Sequence, residues 1–405
     1  MLRSKNFDVI VVGGGVAGVA AALEASRSGY STALIEKTII WGGMATSGLV
    51  PIYEPLCDGK GRQVTFGIAE ELLKVSIKYG PETLPACWSG KGSKIKVESE
   101  EITEYSGMDR RYYTLFNPHS FALGLDEVLE KSGVALWLDT LACEVVLKGN
   151  RIVRVEVENK SGRIALAGKM FIDATGDADL AFRSGAGCSL RGSYPSLLYQ
   201  YASLDNAVSA AKAKNAGYLI KGRSEGAREF GNGYKGKKGI FTGVTGRSVS
   251  EFVMESRKIA REGLLKEQKL RGKNNFYPVT LPSMHQIRMT RKIKGLESVE
   301  DKMKNKYCSS SVGMVSDCRT AGAVWEVPYG SLIPEKAKNL LVAGRCIDAG
   351  DYSWQVTRLI QSAALTGQVT GLAAGLAIKK KTSPGALDVK DVQKALLKKR
   401  IKIHI

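Results

Sequence analysis

The first forty residues admit few folds. Residues 7–12 (FDVIVV) form a short apolar run, 16–28 have the length and composition of a helix, and 31–36 (STALIE) are a second apolar run. Between the first run and the helix stands Gly13-x-Gly15-x-x-Gly18. Strand, glycine turn, helix and strand in this order make a βαβ crossover. In such a unit Gly13 makes the tight turn, Gly15 lets the backbone approach a pyrophosphate, and Gly18 lets helix pack on strand. The helix start, at Val16 and Ala17, offers free N–H groups and the positive end of the helix dipole to that anion. Glu36, followed by Lys37, lies 18 positions beyond Gly18 and suits the ribose hydroxyls of an adenosine. The same glycine pattern recurs at 231–236 (GNGYKG), but no apolar strand precedes it and no helix follows, so it reads as a loop. Context makes the N-terminal copy a dinucleotide site.

Further along, 67–79 reads as an amphipathic helix, and 120–131 as another, with Asn117-Pro118 as its start signal. Residues 81–111 lack periodicity and are expected to be an excursion. Strands are expected at 134–138, 142–148, 152–158 and 169–174, the second and third joined by a Gly149-Asn150 turn. From about 194 to 324 helical runs (204–215, 248–270) alternate with a Gly/Lys-rich loop and a strand-like region at 280–293, which implies a domain inserted into the first. Residues 340–343 return to buried-strand character. The uncharged stretch 359–378 carries Gln361, Ser362, Thr366, Gln368 and Thr370 and many Gly and Ala, so it reads as a buried helix rather than a membrane span.

Three later segments decide which dinucleotide is meant. Directly after Glu36 comes the glycine-paired loop Trp41-Gly42-Gly43-Met44-Ala45-Thr46-Ser47-Gly48; then come 171–177 (FIDATGD) and 341–345 (LVAGR). At these residues the chain resembles the two-dinucleotide-binding flavoproteins. More closely it resembles the FAD-dependent oxidoreductase family near the fumarate reductase flavoproteins, through GGMATSG, GIAEELL, IDATGDADLA, IRMTRKIKG, and VPYGSLIPEKAKNLLVAGR with the later RLIQSAALTGQVTGLAAG. The resemblance implies an α/β architecture. A Rossmann-like FAD-binding domain, a parallel sheet with a β-meander, would occupy 1–193 and 325–405. An inserted α+β substrate or cap domain would occupy 194–324.

It further implies an enzyme holding FAD non-covalently. Gly42, Gly43, Met44, Ala45 and Thr46 would pass under the ribityl chain and ring, where glycine permits close approach. Ala174, Thr175, Gly176 and Asp177 would pack near the nucleotide half. Gly344, Arg345, Cys346 and Asp348 would form the last contact. Ala363, Gly367, Gly371 and Gly375 recur every four residues along 361–378, either to pack a helix closely or to bring its positive end to the flavin pyrimidine.

Several chemistries are excluded by residues. No CxxxxC follows Glu36, as a disulfide reductase of the glutathione-reductase kind requires. No His stands in the loop after Glu36, where fumarate-reductase relatives tether flavin; Met44 occupies that neighbourhood. The three His (His119, His285, His404) and seven Cys show no metal-ligand spacing, so no metal is expected. A second glycine motif fit for a separate NAD(P)H domain is missing, which leaves room for a separate electron donor or acceptor. An odd set of unpaired cysteines suits a reducing cytoplasm. The net charge of +19 is scattered rather than clustered, so a nucleic-acid partner is not expected.

Candidates for substrate chemistry lie in 285–292 (HQIRMTRK). As a strand, it would put His285, Ile287, Met289 and Arg291 on one face and Gln286, Arg288, Thr290 and Lys292 on the other. Arg288 and Arg291 would clamp a carboxylate and His285 would carry a proton; a solvated basic edge is the alternative. The reading that follows is hydride transfer between flavin N5 and a small anionic substrate. The rivals are an RNA-modifying flavoprotein, for which only 234–241 interleaves cations with aromatics, and a flavin monooxygenase.

Overall fold

The computed structural model describes residues 3–81, 113–228 and 239–405. The excursion expected over 81–111 (apart from Pro81) and the loop 231–236 lie outside the described residues. The βαβ unit forms as β1 (Arg3–Val12), α1 (Val16–Arg27) and β2 (Thr32–Ile35). Where they run through the interior its strands are apolar because both faces are covered: Val9, Ile10 and Val11 are completely buried. β1 begins four residues ahead of its apolar run. Residues 3–7 keep pairing with the neighbouring strand although their side chains are largely exposed.

Strands β3 (Ile52–Tyr53) and β4 (Thr114–Leu115) form a short antiparallel pair. Helices α2 (Ile68–Ile77) and α3 (Pro118–Glu130) lie in the same half. α3 starts where Asn117 Oδ1 accepts from the backbone N–H groups of His119 (3.0 Å) and Ser120 (3.1 Å), with Pro118 in its first turn. β5 (Ala135–Trp137) adds to β2 in parallel. Then β6 (Leu141–Lys148), β7 (Arg151–Asn159) and β8 (Gly162–Asp173) run as an antiparallel meander. β8 is twice the length expected because it serves two partners on one edge. Its first half pairs with β7, and its last residues pair in parallel with β16 (Leu340–Val342), while β1 covers the other edge throughout. The resulting order is β5-β2-β1-β8-β7-β6, with β16 beside β8.

After α4 (Asp179–Arg183) and β9 (Cys188–Leu190) the chain leaves this sheet. β10 (Ser196–Ser203), α5 (Leu204–Ala213), β11 (Ile220–Gly226), α6 (Gly246–Arg271) and β12 (Phe276–Thr280) build a separate three-stranded antiparallel sheet, order β11-β10-β12. α6 closes one side of it through a small core of Leu197, Tyr199 and Ala260. β13 (Arg291–Ile293) returns to pair with β9. β14 (Ser311–Ser316) and β15 (Val324–Pro328) then pack into the main core, which also holds α7 (Ser353–Thr357), α8 (Ile360–Lys379) and α9 (Val389–Lys398).

The strand expected over 280–293 is not one strand. β12 stops at Thr280 and β13 starts at Arg291, and 281–290 is an irregular strap whose polar groups bond sideways to three different loops. The alternation of faces fails with it: Gln286, Ile287, Met289 and Thr290 are all buried.

α8 decides where the site can be. A Cβ on Gly367 would overlap the Ala17 carbonyl, one on Gly371 the Ala21 carbonyl, and one on Gly375 the ring of Tyr30. The fourfold glycine ridge is therefore the seam along which α8 lies parallel to α1. Because Gly367 sits level with Ala17, the first two turns of α8 project past the start of α1. A buried polar network locks the pair: Glu24 of α1 accepts from Gln368 Nε2 (2.9 Å) and pairs with Lys399 (2.8 Å), and Gln368 Oε1 accepts from Ile68 N (2.8 Å). No helix among the described residues is long and apolar enough to cross a membrane. In an ordinary helix Gly→Ala is stabilising. Gly367→Ala should instead lower the stability of the flavin-free protein by about 1–3 kcal/mol, because overpacking outweighs propensity. Urea unfolding measures it, and a stabilised variant would refute the seam.

Candidate functional site

A cleft opens at the carboxyl ends of β1, β2, β8 and β16, where Val12, Ile35, Ala174 and Ala343 reach its wall. This is where open parallel sheets bind ligands. Its empty space amounts to about 1180 Å³ out to the mouth. The glycines of the first turn have separable roles. Gly13 adopts φ +101°, and any side chain on it would strike the Ala174 carbonyl. One on Gly18 would strike the Gly13 carbonyl. Around Gly15 there is nothing within 4 Å of where a Cβ would be, because that position faces the cleft. An open cradle at the start of a 12-residue helix, lined also by Val16 and Ala17, fits a diphosphate.

Glu36 lines the cleft and is 8 % exposed. Its Oε2 accepts from Gly14 N (2.7 Å) and its Oε1 from Thr38 N (2.9 Å), so the carboxylate also ties the two loops that frame the adenosine end. Each oxygen has a further lone pair for a ribose hydroxyl. Lys37, Gly42, Gly43, Met44 and Ala45 continue the wall, with Gly42 N donating to Gly14 O at 2.8 Å. Ala174, Thr175, Gly176 and Asp177 form the opposite wall, joined by Gly344 and Arg345.

That opposite wall is rigid. Asp173 accepts from Thr175 N (3.1 Å), Thr175 Oγ1 (2.7 Å) and Ala181 N (3.0 Å); its burial pushes the carboxyl up to about 6. Arg345 donates to Gly176 O (2.8 Å), to Asp177 Oδ1 (2.7 Å) and to Ile287 O. Burial opposes ionisation of Asp177, yet Arg345 and the Thr290 hydroxyl (2.7 Å) hold its carboxyl below the usual range.

Gly18 packs helix on turn, the role its place in the motif implies. Three other residues expected at the cofactor do not line the cleft. Thr46 Oγ1 donates to Trp41 O (2.5 Å), the Cys346 thiol is completely buried and pushed well up by burial, and Asp348 pairs with Lys292 (3.0 Å). The substrate candidates separate likewise. Arg291, 6 % exposed, donates to Asp177 O (2.8 Å) and Asp179 Oδ1 (2.6 Å) and lies over Phe182, so its guanidinium braces β13 against the 177–179 turn. Arg288 is half-buried and its backbone N–H donates to Ser193 Oγ (3.1 Å). His285 follows Met284, which does line the cleft.

Burial pulls the His285 imidazole from 6.5 down to about 4; Asp177 works against that, and Arg345 and Lys37 add to it. Ser47, Thr38, Met284, Arg358 and Ile360 line the cleft without having been expected to, and Ala363, the first residue of the small-residue ridge, lines it too. Ser47 and Arg358 fall inside the segments that carry the family likeness, so motif position was the available signal. For Met284, contributed by the strap, the sequence held none.

Fold and cleft together define a dinucleotide-binding protein of the flavoprotein type. The sequence profile described as FAD dependent oxidoreductase matches residues 8–229 and 267–396, and the chain belongs to that family. The description of that family names FAD as the cofactor and oxidation–reduction as the chemistry. The chain is 31% identical over 179 residues to a digeranylgeranylglycerophospholipid reductase from Picrophilus torridus, covering 42% of this chain and 39% of that protein. It is 32% identical over 102 residues to a thioredoxin reductase from Bacillus subtilis, covering 25% of this chain and 32% of that one. The chain thus spans under two fifths of the length of these relatives. A geranylgeranyl bacteriochlorophyll reductase-like structure from Thermoplasma acidophilum superposes with a TM-score of 0.48 at 16% identity, covering 98% of this chain and 84% of that one. For a p-nitrophenol 4-monooxygenase from Pseudomonas putida the TM-score is 0.48 at 12% identity, with 98% and 87% covered.

Two expectations follow from the cleft. Glu36→Ala should weaken FAD binding by about 1.5–3 kcal/mol, and Gly15→Val should abolish it by filling the cradle. Titration of flavin-free protein with FAD checks both, and unchanged affinity in the two variants would place the cofactor elsewhere. The second concerns pH. An imidazole with a folded pKa below its unfolded value gains its proton first in the unfolded chain, so between pH 6.5 and about 4 acidification destabilises the fold. Thermal unfolding of His285→Gln should therefore lose less stability than wild type between pH 7 and 5. Equal losses would refute the burial of a neutral imidazole.

Proposed function

We propose that the protein holds FAD non-covalently in this cleft and oxidises or reduces a small anionic organic substrate in the cytoplasm. The cofactor supplies the hydride chemistry at N5. The supporting observation is the makeup of the cleft's far end. Arg358 lines it immediately before α8, and Ile360 and Ala363 of the first turns of α8 line it too. The helix start carries no side-chain cap, so its leading N–H groups and positive dipole face the same space.

The cation for a substrate carboxylate thus comes from Arg358 rather than from Arg291, whose partners are Asp177 and Asp179. Arg358 Nε donates to Gln355 Oε1 (2.8 Å), which sets the guanidinium plane. Met44 and Met284 add apolar wall to the same cleft, a lining that favours exclusion of water from a reacting edge. Non-covalent attachment rests on the loop 37–48, which contains no His.

Acid precipitation of the yellow protein should leave all flavin in the supernatant. After anaerobic photoreduction, a panel of hydroxy, amino and unsaturated acids should contain one that exchanges electrons with the flavin. For that acid, Arg358→Ala should raise KM or lower turnover at least tenfold, and Arg358→Lys should restore only part, a point charge being unable to form two parallel hydrogen bonds. Arg291→Ala should cost stability and leave KM unchanged. Turnover of the acid undiminished in Arg358→Ala would sink the assignment. Salt-sensitive tRNA binding in place of any small-acid reaction would replace it with the RNA reading.

A further inference from the structure

We propose that the Ser47 hydroxyl hydrogen-bonds the ring end of bound FAD, and that Gln286, from the strap of the inserted domain, is the positioning residue that aims it. The inference rests on FAD lying in the cleft described above. Ser47 is 4 % exposed and lines the cleft, and its Oγ has no hydrogen-bond partner among the described residues. A hydroxyl withdrawn from water without a partner is unfavourable, and such groups persist where a ligand or water completes them. A hydroxyl both donates and accepts. It therefore suits a ring edge that alternates carbonyl oxygen, N–H and unprotonated nitrogen.

The backbone around it is fixed from both domains. Within the loop, Gly48 N donates to Gly43 O (3.0 Å) and Val50 N to Met44 O (3.0 Å). From the strap, Ser283 N donates to Ser47 O (3.0 Å), and Gln286 Nε2 donates to Gly48 O (2.6 Å). The same amide grips the central strand of the inserted sheet: Leu198 N donates to Gln286 Oε1 (2.7 Å) and Nε2 donates to Leu198 O (2.9 Å). One buried side chain thus joins the inserted sheet to the loop beneath the cofactor. With the Ser47 and Gly48 carbonyls both engaged, little but the side-chain torsion of Ser47 remains to vary, and a turn about that one torsion is what would bring its unpartnered hydroxyl to a ring lying in the cleft. Met284, between Ser283 and the amide clamp, closes the cleft beside it.

The test separates a ligand contact from a structural one. Ser47→Ala should raise the Kd for FAD roughly tenfold, as expected for one lost hydrogen bond, and shift the visible flavin spectrum. The flavin-free protein should unfold at the same temperature or higher, because an unpaired buried hydroxyl has been removed. Lower flavin-free stability with unchanged Kd and spectrum would overturn the proposal. Gln286→Ala should weaken FAD binding in the wild-type background but little further in Ser47→Ala, since one acts through the other. Independent, additive losses would overturn the positioning role. Should Gln286→Ala fail to fold, Gln286→Glu keeps the acceptor for Leu198 N and deletes the donor to Gly48 O, and the same cycle applies. Gly15→Val distinguishes the two failures. FAD retained in that variant removes the cleft as the site. FAD lost there but unaffected by Ser47→Ala removes only this inference.

Discussion

Everything in this molecule hangs on how closely two helices approach. α1 and α8 run side by side at a separation that leaves no room for a Cβ at Gly367 or Gly371. That seam lets both helices lie against one face of the sheet with their positive ends toward the same cleft. It also sets α8 forward by two turns. α1 thus presents its N–H groups at the open glycine turn, while α8 presents its own further along, beside Arg358. A bulkier seam would push α8 off the sheet and pull the far end of the cleft apart. The buried Glu24–Gln368–Lys399 network sits on this contact and ties α1, α8, the start of α2 and the C-terminal segment together.

The second constraint is the rigidity of the cleft's walls before any ligand arrives. Backbone groups of the 174–177 turn, the 344–345 turn and the 42–48 loop are each held by specific partners, and buried carboxylates anchor them. Glu36 ties the first glycine turn to the segment after β2, Asp173 winds the turn after β8, and Asp177 receives Arg345 and Thr290. Burying charge is costly unless it is paired and hydrogen-bonded, and here each carboxylate is met by donors. The result is a preformed channel in which affinity need not be lost to ordering loops.

The inserted sheet is attached to this channel by a strap rather than by a broad apolar face. Residues 283–291 bond in turn to Ser47 and Gly48, to Arg345, and to Asp177 and Asp179. Those are the loops that frame the cleft.

How much of this could be read beforehand follows from the range of the forces involved. The βαβ opening, the meander, α3 with its Asn117 cap and the buried helix α8 were legible, because strand burial, capping and glycine turns are encoded within a few residues of one another. The glycine loops that line the cleft were legible because their glycines answer to local backbone geometry. The single strand expected over 280–293 was not there, since the hydrogen bonds of 281–290 go to segments from 58 to 238 residues away in sequence, and period-two patterning cannot see those. For the same reason Arg291, a plausible carboxylate clamp in sequence, is a brace: only the fold brings Asp177 and Asp179 against it. The glycine ridge of 367, 371 and 375 announced a close approach, but whether to cofactor or to helix was a tertiary matter, decided by α1. By itself the sequence determined the nucleotide-binding unit and the class of cofactor, because both rest on backbone conformation. Which side chains line the cleft, Ser47 and Arg358 among them, was decided only when distant segments closed on one another, because burial and partner choice belong to the assembled core.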